Sequence, residues 1–411
     1  MMPRTLVLCL ILAQCLPAAL YAQQELSLDE AVKAALAGNP AISAAGYDVE
    51  AAGMSAKGAK ALANPEFVVE PFLTGENGSD VELHLIQPLE INGSRKARGK
   101  IAENEYKAQR AAEAVSRSEL IRDVKIAYWD VVQAQEIALL AQENMALVES
   151  LLAAAKRQVD VGTAPGSQVI KADVELSRAK QELRQAEADL ARSKADLNIL
   201  LGRDPSTDFT ATDKFAINPV ENIQSDSIEP VISNRPEVVR EEALLAARRS
   251  EVELSKAERR PDLAVQAKME SLDEDPGIGF SIGIPLFDWG AAKSQTNQAQ
   301  ALVKSQQMSL EAEKNRVRLD IAKAQIAVRE ALETVQDYQA GVLTQSEQLA
   351  QMAEKGYKAG ATGYLEVLEA QRTLREVKID YITALADYAK AEAELEWATG
   401  ANYQPTREEV K

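Results

Sequence analysis

Two stretches of this chain, residues 94–159 and 291–358, run without a proline and carry glycine only at Gly99, Gly341 and Gly356. A helix of that length is about 100 Å long at 1.5 Å per residue. One globular core cannot wrap such a rod, so its apolar stripe must face other helices. In the first stretch Val124, Val131, Ala138, Met145, Leu152 and Val159 recur every seven residues, with Ala127, Ala134, Ala141, Val148 and Ala155 three positions on. In the second, Ile321, Val328, Val335, Val342 and Leu349 repeat in the same way. This is coiled-coil periodicity, and its many alanines suit a wall of closely spaced helices.

The two stretches belong to a duplicated unit, the kind of repeat that sets the whole architecture. Pro40, Pro65, Pro88, Gly93, Gly162 and Gly202 are matched in order by Pro236, Pro261, Pro285, Gly290, Gly360 and Gly400, at offsets that grow from 196 to 197 to 198. The joint is 203–233, rich in Asp, Ser, Thr, Asn and Pro. The first repeat, 23–202, reads as strands at 65–74 and 80–91, a long helix at 94–160 and a helix at 167–201. The second, 234–400, reads as strands at 261–271 and 277–287, a long helix at 291–358 and a helix at 364–399. A tail, 401–411, follows.

The strands are read from period-two alternation. Ile278, Phe280, Ile282, Ile284 and Leu286 share one face, and Val81, Leu83, Leu85, Leu89 and Ile91 share another, broken by Gln87. Their length suits a tilted crossing of a bilayer, although a soluble sheet alternates in the same way. Four strands cannot close a barrel, and lipid tolerates no open edge. Membrane-spanning strands therefore require several chains. Three chains give twelve strands and a ring of twelve helices.

At the N-terminus Arg4 precedes an apolar run over 6–20 and the sequence Tyr21-Ala22-Gln23. This pattern predicts a secretory signal at 1–22, cut after Ala22. Both cysteines, Cys9 and Cys15, lie within it, which excludes disulfides, zinc–cysteine sites and cysteine nucleophiles from the mature chain. The single histidine, His84, excludes a multi-histidine metal site, and it is read as lining a lumen with no specific ligand. No second apolar run of about 20 residues is expected, so any membrane crossing falls to the strands. With 46 Lys and Arg against 63 Asp and Glu, a formal charge of −17, the chain lacks the basic footprint of a nucleic-acid binder. No catalytic constellation or phosphate-cradling loop is present, and no cofactor or metal centre is expected. Trp289, Phe287 and Phe72 lie near strand ends, where an aromatic girdle would sit.

The export signal, the duplicated unit, Ile284-Pro285-Leu286-Phe287-Asp288-Trp289-Gly290 and the run from Gly360-Ala361-Thr362-Gly363-Tyr364-Leu365-Glu366 to Glu369-Ala370-Gln371 resemble the TolC-type outer membrane efflux proteins. The resemblance covers essentially all of the mature chain. It implies a mainly α protein with a transmembrane β-barrel contribution: a homotrimer with a twelve-stranded barrel in outer-membrane lipid and a twelve-helix tunnel across the periplasm. It also implies a periplasmic adaptor as partner and, through it, an inner-membrane pump. The segment Gln87-Pro88-Leu89-Glu90-Ile91-Asn92-Gly93-Ser94-Arg95-Lys96-Ala97-Arg98 resembles that of the heavy-metal branch, which serves cation pumps of the resistance-nodulation-division class.

The resemblance assigns two sites. The helical turns at Gly162 and Gly360, where glycine suits a helix end, become adaptor-docking tips with Arg157, Val161, Thr163, Lys355 and Ala361 beside them. Glu366 and Glu369, three apart on one helix face, take the acidic-ring positions at the tunnel entrance. Gln168 and Thr362 depart from the acidic and basic residues found there in other members, which argues against a charged latch. Two other readings stay open at this stage: a multidrug or type I secretion duct of the same fold, and a soluble periplasmic coiled-coil scaffold or adaptor.

Overall fold

The computed structural model describes residues 24–74, 78–217, 228–269, 277–284, 289–359 and 361–401. The expected signal at 1–22, Phe287, Gly360 and the tail beyond residue 401 lie outside the described residues.

The chain opens with β1 (Gln24–Leu26), α1 (Leu28–Gly38) and α2 (Pro40–Ala59). The hairpin β2 (Glu66–Thr74) and β3 (Gly78–Pro88) follows, then α3 (Ser94–Asp160) and α4 (Ser167–Leu200). Within the joint between repeats, read from sequence as irregular, β4 (Phe209–Ala211) and α5 (Ile228–Asn234) form. The second repeat supplies α6 (Pro236–Ala257), β5 (Asp262–Met269), β6 (Gly277–Gly283), α7 (Ala291–Asp337), α8 (Leu343–Lys358) and α9 (Tyr364–Thr399).

Local chemistry fixes the helix ends. Ser27 and Glu30 form a reciprocal capping box at the start of α1, and the Ser27 hydrogen bonds hold the Glu30 carboxyl below its ordinary range. Asn39 caps α2, its Oδ1 accepting from the Ala41 amide at 2.8 Å, while its Nδ2 donates to the Leu200 carbonyl at 2.9 Å. The matching position in the second repeat is Arg235. Its guanidinium donates to the Trp397 carbonyl and pairs with Glu237 at 2.6 Å. Both side chains thus tie the entry of a repeat to the last turn of its closing helix. The paired glycines Gly93/Gly290 and Gly202/Gly400 all take positive φ, between 70° and 95°.

Three apolar clusters lie along the rod. One joins Val124, Tyr128 and Val131 of α3 to Leu26, Leu197 and Phe209. A second joins Val317, Ile321, Val328 and Val335 of α7 to Val238 and to Tyr388 and Leu395 of α9. A third unites both helical hairpins through Leu151, Leu152, Ala155, Ala172, Ala350, Tyr364 and Val367. One window of 18 residues in α3 reaches a mean hydropathy of 1.3, apolar enough to cross a membrane by composition. This corrects the reading that no such run follows the signal. The helix as a whole packs against α2, α4, α6 and α9, and 22% of this window is buried within the chain.

The second long helix is not continuous. A π-turn, Tyr338–Val342, interrupts 291–358, with Gly341 off helical geometry. The heptad read from sequence fails beyond it: Val342 and Leu349 are 44% and 49% exposed, while Ser346, Ala350 and Ala353 are buried. The buried stripe has moved on by one residue, as one extra residue in a helical turn requires. The offset between repeats grows from 197 at Gly290 to 198 at Gly360, so the second repeat holds one more residue over this span, and the π-turn accommodates it.

The two hairpins merge into one antiparallel sheet of order β2-β3-β5-β6. The central seam pairs Leu85 with Ala267 and His84 with Lys268. A short parallel pair, β1 with β4, lies apart and packs on α3. There the buried Tyr128 hydroxyl donates to Asp213 at 2.6 Å. Burial and this carboxylate raise the Tyr128 pKa.

Candidate functional site

The sheet register sorts side chains onto two unlike faces, since residues directly opposite across antiparallel strands share a face. One row is Phe67, Leu85, Ala267 and Ile278; the next is Gln87, Val265 and Phe280; Val69, Leu83 and Met269 form a third, and Leu263 pairs with Ile282. Gln87 is the one polar residue in these rows, and its Nε2 turns to the Ala63 and Pro88 carbonyls. Phe67, Val69, Leu85, Ile278, Phe280 and Ile282 are all exposed, Phe280 at 72%. The opposite face carries Glu70 against Glu82, His84 against Lys268, and Gln266 against Ile86. The chain therefore presents an apolar band on one face of the sheet and charged side chains on the other.

The strand-to-helix elbow is built from the segment around Glu90. The Leu89 amide donates to the Leu263 carbonyl at 2.8 Å, and the Ile91 amide to Asp262 at 3.0 Å. Asn92 Oδ1 accepts from the Ser94 amide at 2.9 Å, tightening the turn that leads into α3. Glu90 accepts a two-pronged pair from Arg98. In this structure the motif's conspicuous residues stitch the elbow together. Trp289, at the corresponding elbow of the second repeat, is 98% exposed. Phe287 and the side chain of Phe72, its proposed girdle companions, lie outside what is described.

The far end of the rod holds the predicted tips. The Val161 amide closes α3 on the Arg157 carbonyl at 3.2 Å, and the Thr163 amide and hydroxyl both donate to the Gln158 carbonyl. Gly162 takes φ 77°, where an L side chain would be strained, so this turn is fixed by its glycine. On the other hairpin the Ala359 amide donates to the Lys355 carbonyl, and the Ala361 amide to Gly356. Arg157, Val161, Gly162, Thr163, Lys355 and Ala361 are all exposed; Gly360 lies outside the described residues. Thr362 faces inward instead, its hydroxyl donating to the Ala353 carbonyl at 3.1 Å.

Glu366 and Glu369 lie on the exposed face of the first turns of α9, opposite buried Tyr364, Val367, Leu368 and Ala370. The structure thus brings both carboxylates to one surface beside the tip.

Sequence reasoning missed two clusters behind this surface. Tyr357 donates to Gln158 Oε1 at 2.8 Å and accepts from Gln168 Nε2 at 2.7 Å, joining α3, α4 and α8. Farther up, Arg372 pairs with Glu175, and Arg375 with Glu182 at 2.8 Å, tying α9 to α4. Burial raises the Tyr357 pKa and pushes that of neighbouring Tyr364 up to about 12. The uncharged Gln168, noted as a departure from kin, was the available signal for the first cluster. For the second it was Glu175 and Glu182 seven apart, facing arginines three apart.

The chain matches the outer membrane efflux protein family over residues 31–203 and 228–401. It is 28% identical to the cobalt-zinc-cadmium resistance protein CzcC of Cupriavidus metallidurans over 389 residues, covering 91% of this chain and 90% of that one. It is 29% identical to the nickel and cobalt resistance protein CnrC of the same organism, covering 66% and 67% of the two chains. The fold matches the crystal structure of CusC with a TM-score of 0.75 at 18% identity, over 90% of this chain and 91% of that one.

Proposed function

The chain belongs to the outer membrane efflux protein family, and from that membership we propose that it is the exit duct of a tripartite efflux system for heavy-metal cations. Family members are outer membrane channels extending into the periplasm, not enzymes. Three copies close twelve strands into a barrel and twelve helices into a tunnel. A periplasmic adaptor seats on the exposed tips at Gly162 and Ala361 and links the duct to an inner-membrane pump. The duct itself does no work: cations cross a sealed path, past the carboxylates of Glu366 and Glu369 at its entrance.

One observation carries the reading. The four-stranded sheet has a band of exposed apolar side chains on one face, and among the described residues β2 and β6 each pair on one side only. A soluble protein does not leave such a band in water, and a bilayer does not accept such edges; closure by further copies resolves both. The metal cargo is supported by CzcC and CnrC, whose names are those of cobalt, zinc, cadmium and nickel resistance.

The test is a deletion strain complemented with the wild-type chain. Loss of tolerance to cobalt, zinc or cadmium with unchanged drug tolerance supports the reading. Loss of drug tolerance alone transfers the duct to drug efflux. Recovery of the chain as a monomer in the soluble periplasm, with no heat-modifiable oligomer, overturns the duct and favours a coiled-coil scaffold.

A further inference from the structure

We propose that Glu70, Glu82 and His84 form a binding site for a divalent transition metal on the polar face of the sheet, of the kind that takes Zn²⁺, Co²⁺ or Ni²⁺. The three side chains come from adjacent strands, with Glu70 directly opposite Glu82 in the β2–β3 register. His84 is two residues from Glu82 on β3 and so points to the same side. One ligand atom from each lies within 4.8 Å of the others, and His84 Nε2 is 3.2 Å from Glu82 Oε2. Ligand atoms around a metal bonded at ~2.1 Å stand ~3–4 Å apart. A rotamer change of Glu70, which is exposed, closes the remaining gap. The strand ladder holds the other two ligands, whose side chains are 26% and 16% exposed.

Two like charges placed directly opposite on neighbouring strands repel, so the pair Glu70–Glu82 calls for a cation. Lys268, opposite His84 on β5, supplies one, with Nζ 3.1 Å from Glu82 Oε2. A lysine would satisfy the carboxylates alone; it gives no reason for an imidazole at their side. One imidazole nitrogen with two carboxylates is the donor set of borderline divalent metals, while Mg²⁺ and Ca²⁺ favour oxygen and water. With a single nitrogen donor, no thiolate and an ammonium competing for Glu82, the site is weak and exchanges its ion readily. A conducting path needs that property, because an ion must be able to leave each station. The site stands on this geometry alone; its service as a station on the cation path rests on the function proposed above.

The experiment is a titration of the full-length, detergent-purified oligomer with Co²⁺, followed by visible absorption and calorimetry. The expected result is ~1 Co²⁺ per chain, unaffected by excess Mg²⁺. His84→Gln and Glu82→Gln should each weaken binding about tenfold or more, with the oligomer's heat-modifiable band confirming that the variants assemble. Lys268→Met should move affinity the other way, a gain that misfolding cannot imitate. Equal Co²⁺ binding by wild type and His84→Gln overturns the site, as does the absence of any Co²⁺ absorption band in the wild type. If the purified chain binds Co²⁺ through His84 while the deletion strain keeps its metal tolerance, the cargo assignment fails and the site remains.

Discussion

The Arg235 guanidinium lies 4.6 Å from the centre of the Trp397 ring and donates to the carbonyl of the same residue. Arg235 is fully buried, and its other nitrogens meet Glu237 at 2.6 and 3.0 Å. Its counterpart Asn39 performs the same closure with a neutral amide and two hydrogen bonds. Removing one partner of a buried ion pair leaves the other charge stranded, at a cost of about 3–5 kcal/mol; removing a capping side chain costs about 1 kcal/mol. Arg235→Ala should therefore lower the thermal midpoint of the purified protein well beyond Asn39→Ala. Circular dichroism melts of the two variants decide this, and equal losses would show that the buried pair contributes little.

The two faces of the sheet should respond oppositely to charge. Phe280→Lys places an ammonium on the apolar band, where a bilayer midplane penalises it by about 2–4 kcal/mol. Ser281→Lys puts the same group on the polar face and should be tolerated. The readout is the yield of heat-modifiable oligomer in outer-membrane fractions. Equal yields would mean the exposed band does not face lipid.

Much of this was legible in the chain. The period of two over 277–283 places Ile278, Phe280 and Ile282 together without any structure, because strand geometry leaves no alternative. The heptads through Val335 hold because an unbroken α-helix returns the same face to its neighbours every seven residues. They fail at Val342 and Leu349, where a local rule was extended across an inserted residue; the step in repeat offset from 197 to 198 marked the insertion but not its place. Contacts between helices were not legible. Gln158 and Tyr357 are 199 residues apart and meet only because two hairpins pack together. Glu70 likewise reaches His84 through strand register, which no one-dimensional pattern specifies.

At the tip, Tyr357→Phe removes the hydroxyl that Gln158 and Gln168 share. Two hydrogen bonds are lost, at a net of about 1 kcal/mol each, which should raise local opening about thirtyfold. Limited proteolysis over 161–166 measures this directly. A cleavage rate equal to wild type would mean that the cluster does not restrain the turn.

Alkaline pH should loosen the same region. The folded tip keeps Tyr364 protonated to about 12, whereas an unfolded tyrosine ionises near 10. Between these values the folded state binds more protons than the unfolded one, so its stability falls as pH rises. The contribution is complete below about 10 and is lost progressively towards about 12. Tyr364→Phe should flatten this part of the profile of stability against pH, and a profile unchanged by the substitution would contradict the burial argument.

The acidic surface beside the tip offers a functional reading. Replacing Glu366 and Glu369 together by glutamine keeps size and polarity while removing six charges from a threefold ring. Cation over anion selectivity in planar bilayers should drop if those carboxylates border the entrance. Selectivity identical to wild type would remove them from that role.

The seam between β3 and β5 joins the two repeats, and among the described residues it leaves both outer strands, β2 and β6, awaiting neighbours. A chain built this way cannot keep its defects to itself. If assembly is threefold, a variant that pairs normally at its edges but carries a faulty tip enters the same rings as wild-type chains. With equal expression of both, only about one ring in eight would be free of it. Such alleles should behave as dominant poisons in a cell that also carries a sound copy, whereas alleles that spoil the strand edges should be recessive, excluded before they can do harm.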